Sequence, residues 1–282
     1  MNRREFTAAL ATGLMVPRAL AAGPGHPVLG RSADHPTPGI QLYTLRSLMA
    51  KDVEQTLAAV ADMGYREVEF AGYFGRRPEQ IRDALTNLGL LAPSAHVDIE
   101  ALGSTWSQTI DRAVVMGHRY LILAWIAPAR RGSIDGWRRL GDQLNEAGEL
   151  AARAGITIGY HNHDFEFAPV DGRLPYDVLL EATDPNLVTL ELDLYWIIKA
   201  GGDPVAYFEK GQGRYSMVHV KDMDATPARG MTDPGKGIIE FEKILPAAAA
   251  AGVRHWFIEH DQPADPLATA RQGVAFFQTT PL

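Results

Sequence analysis

The chain has 282 residues, long for a single domain but within the range of α/β barrels. Its 27 basic and 34 acidic side chains leave a net charge of −7, which argues against a general nucleic-acid or anionic-membrane surface. It has no cysteine, which excludes disulfides, thiolate metal sites and thiol nucleophiles and leaves His, Asp and Glu as metal-ligating residues.

Residues 1–21 read as an export signal: Arg3-Arg4, an apolar stretch from Ala8 to Val16, and a small-residue site at Ala19-Leu20-Ala21. The paired arginines before Glu5-Phe6 match the twin-arginine type, whose passengers cross already folded, so a periplasmic location is expected. The apolar stretch is too short to span a bilayer, and no membrane association is expected once the signal is removed. Removing residues 1–21 leaves 24 basic and 33 acidic side chains, a net charge of −9. Residues 22–38, rich in Gly, Pro and His, read as a linker.

From residue 39 to 282 the pattern repeats. Strand-like runs begin at Ile40, Glu67, Ala92, Tyr120, Thr157, Val188, Met217 and Trp256, at spacings of 25–39 residues, the length of one strand–helix unit. The third run contains Pro93, which lacks an amide donor and makes that strand the weakest of the eight. The segments between them carry helical spacing, clearest in Trp137, Leu140, Leu144, Ala147 and Ala151. Five of these helices stop at a glycine, at Gly64, Gly89, Gly117, Gly155 and Gly252, as expected where the chain must turn left-handed. No Gly-rich phosphate loop follows the first strand. The expected fold is therefore α/β, a (β/α)8 TIM barrel in a single domain.

Strands of such a barrel present polar residues two apart at their C-terminal ends. The pairs are Gln41/Tyr43, Glu67/Glu69, Ser94/His96, His161/His163, Glu191/Asp193, His219/Lys221 and Glu259/Asp261. Buried carboxylates and imidazoles are costly unless paired or bound to metal, so their convergence marks a site. Three consecutive strands supply Asp193, His219 and Glu259, hard oxygen donors with one imidazole, a set suited to Mn²⁺, Mg²⁺, Co²⁺ or Zn²⁺. Taken singly, His96 reads as a hydrogen-bonding residue as readily as a ligand, and Glu67 and Glu69 as partners of Arg46 or Arg66.

With these motifs in view the sequence resembles the xylose isomerase-like TIM-barrel superfamily, which includes sugar phosphate isomerases and epimerases, inosose dehydratases and 3-keto-glycoside lyases. The resemblance covers about residues 39–278. It rests on Gln41-Leu42-Tyr43-Thr44-Leu45-Arg46, Tyr160-His161-Asn162-His163-Asp164-Phe165-Glu166-Phe167, Glu191-Leu192-Asp193-Leu194-Tyr195-Trp196, His219-Val220-Lys221-Asp222, Gly235-Lys236-Gly237 and Phe257-Ile258-Glu259-His260-Asp261.

The resemblance implies one divalent ion, manganese first, held by residues of strands five to eight. Asp193, His219 and Glu259 match three ligands. The fourth position falls at or next to His161, while Glu166 is the nearest carboxylate; Glu166 is expected as the ligand, with His161 as the alternative. The implied chemistry is proton movement beside a carbonyl of a sugar-like polyol through an enediolate, with His161 and His163 as acid and base and Lys221 facing developing negative charge. Tyr43, Glu69, His96, Trp125 and Trp196 are the expected substrate-holding residues. Isomerisation or epimerisation is the main reading; β-elimination, as in inosose dehydration or 3-keto-glycoside cleavage, is the alternative. The expected partner is a small-molecule carbohydrate, with assembly into homo-oligomers left open. A non-catalytic periplasmic sugar receptor would not need the metal set, and a DNA-repair nuclease of the endonuclease IV type fits poorly with a charge of −9.

Overall fold

The computed structural model describes residues 38–280. Eight parallel strands close into a barrel: β1 (Pro38–Gln41), β2 (Glu67–Phe70), β3 (Leu91–Val97), β4 (Tyr120–Leu123), β5 (Thr157–His161), β6 (Val188–Asp193), β7 (Tyr215–Val220) and β8 (His255–Ile258), with β8 pairing back onto β1. All eight runs expected from the sequence form strands, and helices lie between them as in a TIM barrel. The signal expected at residues 1–21 lies outside the described residues, as does the linker, apart from Pro38, which opens β1.

The five glycine stops all take the left-handed conformation, with φ from +67° at Gly89 to +105° at Gly252. Pro93 is accommodated inside β3 by a register shift against β2: Leu91 pairs with Glu67, yet Ser94 pairs with Glu69. Three residues on β3 thus span two on β2, a bulge at which a ladder donor is not required.

Most of the apolar core lies between the barrel and its helices; inside the barrel a small cluster of Ile122, Met217 and Phe257 forms a plug. Gly159 is needed there, since a Cβ at this position would stand 2.5 Å from Ile122 Cδ1. Beneath the plug the Glu67–His255 pair, 2.8 Å apart, joins the starts of β2 and β8. Above the plug, toward the C-terminal ends of the strands, the interior turns polar.

Candidate active site

Strand register assembles the site. Gln41 stands beside Glu69, His161 beside Glu191 and Asp193 beside His219, each on neighbouring strands. Period-two alternation then directs Glu191 and Asp193, and His219 and Lys221, to the same interior.

Two tiers of contacts result. In the lower, Glu69 Oε2 accepts from Gln41 Nε2 at 2.8 Å and lies 2.7 Å from His219 Nε2. His96 Nε2 bridges the acidic pair, 2.8 Å from Glu191 Oε2 and 3.2 Å from Glu69 Oε2. His161 Nδ1 meets the same Glu191 oxygen at 2.9 Å.

In the upper tier, His219 Nδ1 lies 2.6 Å from Glu259 Oε2. The Lys221 ammonium is surrounded by carboxylates: Asp193 Oδ2 at 2.9 Å, Glu259 Oε2 at 2.7 Å and Asp261 Oδ1 at 2.7 Å. His161 Nε2 looks toward Asp193 Oδ2 from 3.7 Å. The other Asp193 oxygen caps the short helix Leu194–Lys199 through the Trp196 amide at 3.0 Å. Asn162 locks β5 to β6 by accepting the Asp193 amide at 2.9 Å.

Burial and charge together set the proton affinities. Burial would lower His96, but Glu69 and Glu191 prevail and push it up to about 10. Burial would likewise lower His219; the facing Glu191 and Glu259 hold it well above the usual histidine range. Burial drives His161 well below that range, and burial with the nearby Lys221 charge takes His163 down to about 3. Burial raises Asp193 to about 6 despite Lys221. Lys221 is held above the usual lysine range, its carboxylate partners outweighing burial.

Five carboxylates, from Glu69, Glu191, Asp193, Glu259 and Asp261, thus surround one ammonium and three imidazoles. Asp193 Oδ2 makes no hydrogen bond of good geometry even with Lys221 close by, so its lone pairs stay under-used in a dry site. Among the described residues, Asp193, His219 and Glu259 form one group with ligand atoms within 4.8 Å of one another. The acidic excess, the under-used oxygen and the two-carboxylate, one-imidazole donor set fit a divalent cation.

The structure does not bring Glu166 to this group. Its carboxylate sits behind β5, where Oε1 accepts from Tyr160 Oη at 2.6 Å and Oε2 from the His163 amide at 2.8 Å. Period two sends Tyr160 outward when His161 points inward, and Glu166 folds back onto the outward side. The expected order of the two fourth-ligand candidates is therefore reversed: His161 is the one facing Asp193.

Over the upper tier opens a cavity of about 700 Å³, lined by Tyr43, His96, Trp125, His161, His163 and Lys221 among others. Tyr43 and Trp125 stand at its exposed rim, each under a guanidinium, Arg46 at 4.1 Å and Arg131 at 5.1 Å from the ring centres. Glu69 lies buried in the lower tier. Trp196 flanks His163, ring centres 5.5 Å apart. Gln41 and Glu191, buried in the lower tier, and Asp261, on the cavity wall, show in the sequence only as polar members of strand pairs, while Arg112 and Tyr73, on the same wall, carry no sequence signal. The pair Gly235 and Gly237 closes on Asp222, whose Oδ2 accepts both amides at 2.9 and 2.8 Å.

An inosose dehydratase of Geobacillus thermodenitrificans is 26% identical over 241 residues, 73% of this chain and 80% of the relative. A solved sugar phosphate isomerase/epimerase from Parabacteroides distasonis superposes with a TM-score of 0.76 at 26% identity, covering 86% of this chain and 98% of that one. The IOLI protein, solved with a bound zinc atom, shares the fold with a TM-score of 0.69 at 14% identity, over 86% of this chain and 95% of its own. The family profile described as xylose isomerase-like TIM barrel matches residues 57–280, and the chain belongs to that family.

Proposed function

We propose that the protein is a divalent-metal-dependent enzyme, with Mn²⁺ as the first candidate ion, that moves a proton beside the carbonyl of a sugar or sugar-like keto-polyol and so acts as an isomerase or epimerase. One observation carries the reading: Asp193, His219 and Glu259 converge beneath a cavity whose wall also presents His161, His163 and Lys221. Asp193, His219 and Glu259, with His161 beside them, would hold the ion. When bound, such an ion supplies Lewis-acid polarisation of a ketone and its neighbouring hydroxyl.

The chain's own residues supply the rest. His163 lines the cavity and is neutral at pH 7, held as the free base by burial and the Lys221 charge, so its ring is placed to accept a carbon-bound proton. A growing negative charge on the substrate beside it favours that imidazolium. Lys221 can turn one of its three N–H bonds toward the developing oxyanion while Asp193, Glu259 and Asp261 keep the ammonium in place. Tyr43 and Trp125 offer rim faces on which a sugar ring can stack.

The likeness to inosose dehydratases supports elimination as a second reading. Both outcomes begin by removing a proton next to a carbonyl and diverge only if a leaving group departs. Export by the twin-arginine route to the periplasm, supported by Arg3-Arg4 and the apolar stretch behind them, would suit free sugars, inositols or 3-keto-glycosides.

The test is proton NMR in D₂O with Mn²⁺-loaded protein and keto-sugars, inososes or 3-keto-glycosides. Loss of the α-proton signal with a new epimer or isomer supports the main reading; an enone with water or an alcohol released supports elimination. No exchange with any of these classes from metal-loaded protein would sink both.

A further inference from the structure

We propose a second divalent-cation seat in the lower tier, built from His96, His161, Glu191 and His219, which shares His161 and His219 with the site above it. Four strands, β3, β5, β6 and β7, deliver these side chains, and one ligand atom from each lies within 4.8 Å of the others. The three rings are mutual neighbours, with centres 5.2 Å apart for His96–His161, 5.3 Å for His96–His219 and 4.6 Å for His161–His219. Three imidazoles packed this closely are not an apolar cluster. His96 and His219 lie nearly parallel, at 12°, with ring nitrogens against the same two carboxylates.

His219 has a carboxylate at each nitrogen, Glu259 at Nδ1 and Glu69 at Nε2, and His96 Nε2 faces Glu69 and Glu191, so ring nitrogens and carboxylate oxygens converge on one buried point and offer their lone pairs to a single cation. Glu191 is disposed for this, with Oε2 at 2.8 and 2.9 Å from His96 and His161 and Oε1 at 3.2 Å from His219 Nε2.

A second observation points to the same place. Glu69 Oε1 and Glu191 Oε1 are buried without a hydrogen bond of good geometry, on residues that are 0% exposed. Three nitrogens with one carboxylate form a softer donor set than the oxygen-rich group above, so the lower seat should prefer Zn²⁺ or Co²⁺ and the upper Mn²⁺ or Mg²⁺. His219 and His161, each with one nitrogen toward each tier, bridge the two. The inference rests on the proposed upper site only for the total of two equivalents, and the variants tell loss of one seat from loss of the other.

The experiment titrates the metal-stripped full-length protein with Zn²⁺ alone and with Mn²⁺ alone, following heat of binding and, after desalting, elemental content. The wild type should take up two equivalents of metal per chain. Glu191→Gln and His96→Asn should each keep one, Asp193→Asn should keep the other, and His219→Ala should keep none. With Mn²⁺ alone, the wild type should show the spin-coupled electron paramagnetic resonance signal of two nearby ions, a readout that needs no variant. A single equivalent with an uncoupled signal in the wild type overturns the proposal and leaves the tier as hydrogen-bonded support. So do two equivalents that persist in folded Glu191→Gln and His96→Asn proteins.

Discussion

Glu166 and Tyr160 form a buried pair behind β5: the phenol donates to the carboxylate at 2.6 Å, six residues away along the chain. Burial raises the Glu166 carboxyl to about 8 against the bonds that Tyr160 and the backbone provide. The pair makes Glu166 a structural residue of the turn that carries His163. Glu166→Gln is expected to bind metal with wild-type stoichiometry and to lose roughly 1–3 kcal/mol of stability, since one buried acceptor becomes a donor facing the His163 amide. Elemental analysis with urea unfolding checks this; lost metal in a folded variant would return Glu166 to the ligand set.

Asp193→Ala should lose the upper metal equivalent and catalytic turnover together. Chelation of the wild type should do the same reversibly, with activity restored by added Mn²⁺. A loss of at least about 10³-fold in kcat is expected, about 4 kcal/mol of transition-state stabilisation, as several kcal/mol of Lewis-acid assistance disappear. Full activity in a metal-free preparation would contradict the proposed chemistry.

These residues were legible in the sequence because parallel barrel strands place alternate side chains on one face, and Asp193, His219 and Glu259 end consecutive strands. The glycine stops were legible for an equally local reason: Gly64, Gly89, Gly117, Gly155 and Gly252 each need a positive φ at a helix end. Glu166 was misplaced because its distance along the chain says nothing of which side of β5 the following turn folds onto. The lower tier was legible only in part. Glu69, His96 and Glu191 stood out as polar residues in strands, but their mutual contacts depend on cross-barrel geometry, which no single strand encodes. Arg112 reaches the cavity from a helix, where nothing in its local pattern distinguishes it from a solvated arginine.

Lys221 is 2% exposed and holds three carboxylates together. Lys221→Gln should therefore cost stability as well as turnover, roughly 3–5 kcal/mol, because it leaves buried acids without their cation. Combining it with Asp261→Asn should recover part of that stability while leaving turnover low. Urea unfolding of the four proteins in this cycle measures the coupling, and strictly additive losses would show that Lys221 acts independently of Asp261.

Gly235 and Gly237 cradle the Asp222 carboxylate, which also accepts the amides of Met223 at 2.8 Å and Ile239 at 3.2 Å. Four backbone donors spent on an internal carboxylate leave this Gly-x-Gly unavailable to a phosphate. A Cβ at Gly237 would collide with the Met223 carbonyl oxygen and the Asp222 carboxylate, both held in place. Gly237→Ala should lower stability by roughly 1–3 kcal/mol, read as a reduced urea midpoint. Phosphate should not protect either protein against unfolding.

His118 gives the fold a pH dependence away from the catalytic groups. It is buried, with Nδ1 against the Ala92 carbonyl at 2.7 Å and Nε2 against Tyr73 Oη at 3.1 Å, and burial pushes its pKa down to about 4. The unfolded chain binds this proton near the ordinary histidine value of about 6.5. Between those two values the unfolded state carries more protons than the folded one, so stability must fall as pH falls. Its contribution is fully present above about pH 6.5 and is lost progressively toward pH 4, up to roughly 3 kcal/mol. His118→Gln, which can keep a donor toward Ala92 without titrating, should start less stable at pH 7.5 and lose less between pH 6.5 and 4.5 than the wild type. Urea unfolding across that range decides it, and parallel pH profiles for the two proteins would show that His118 does not contribute to the acid sensitivity.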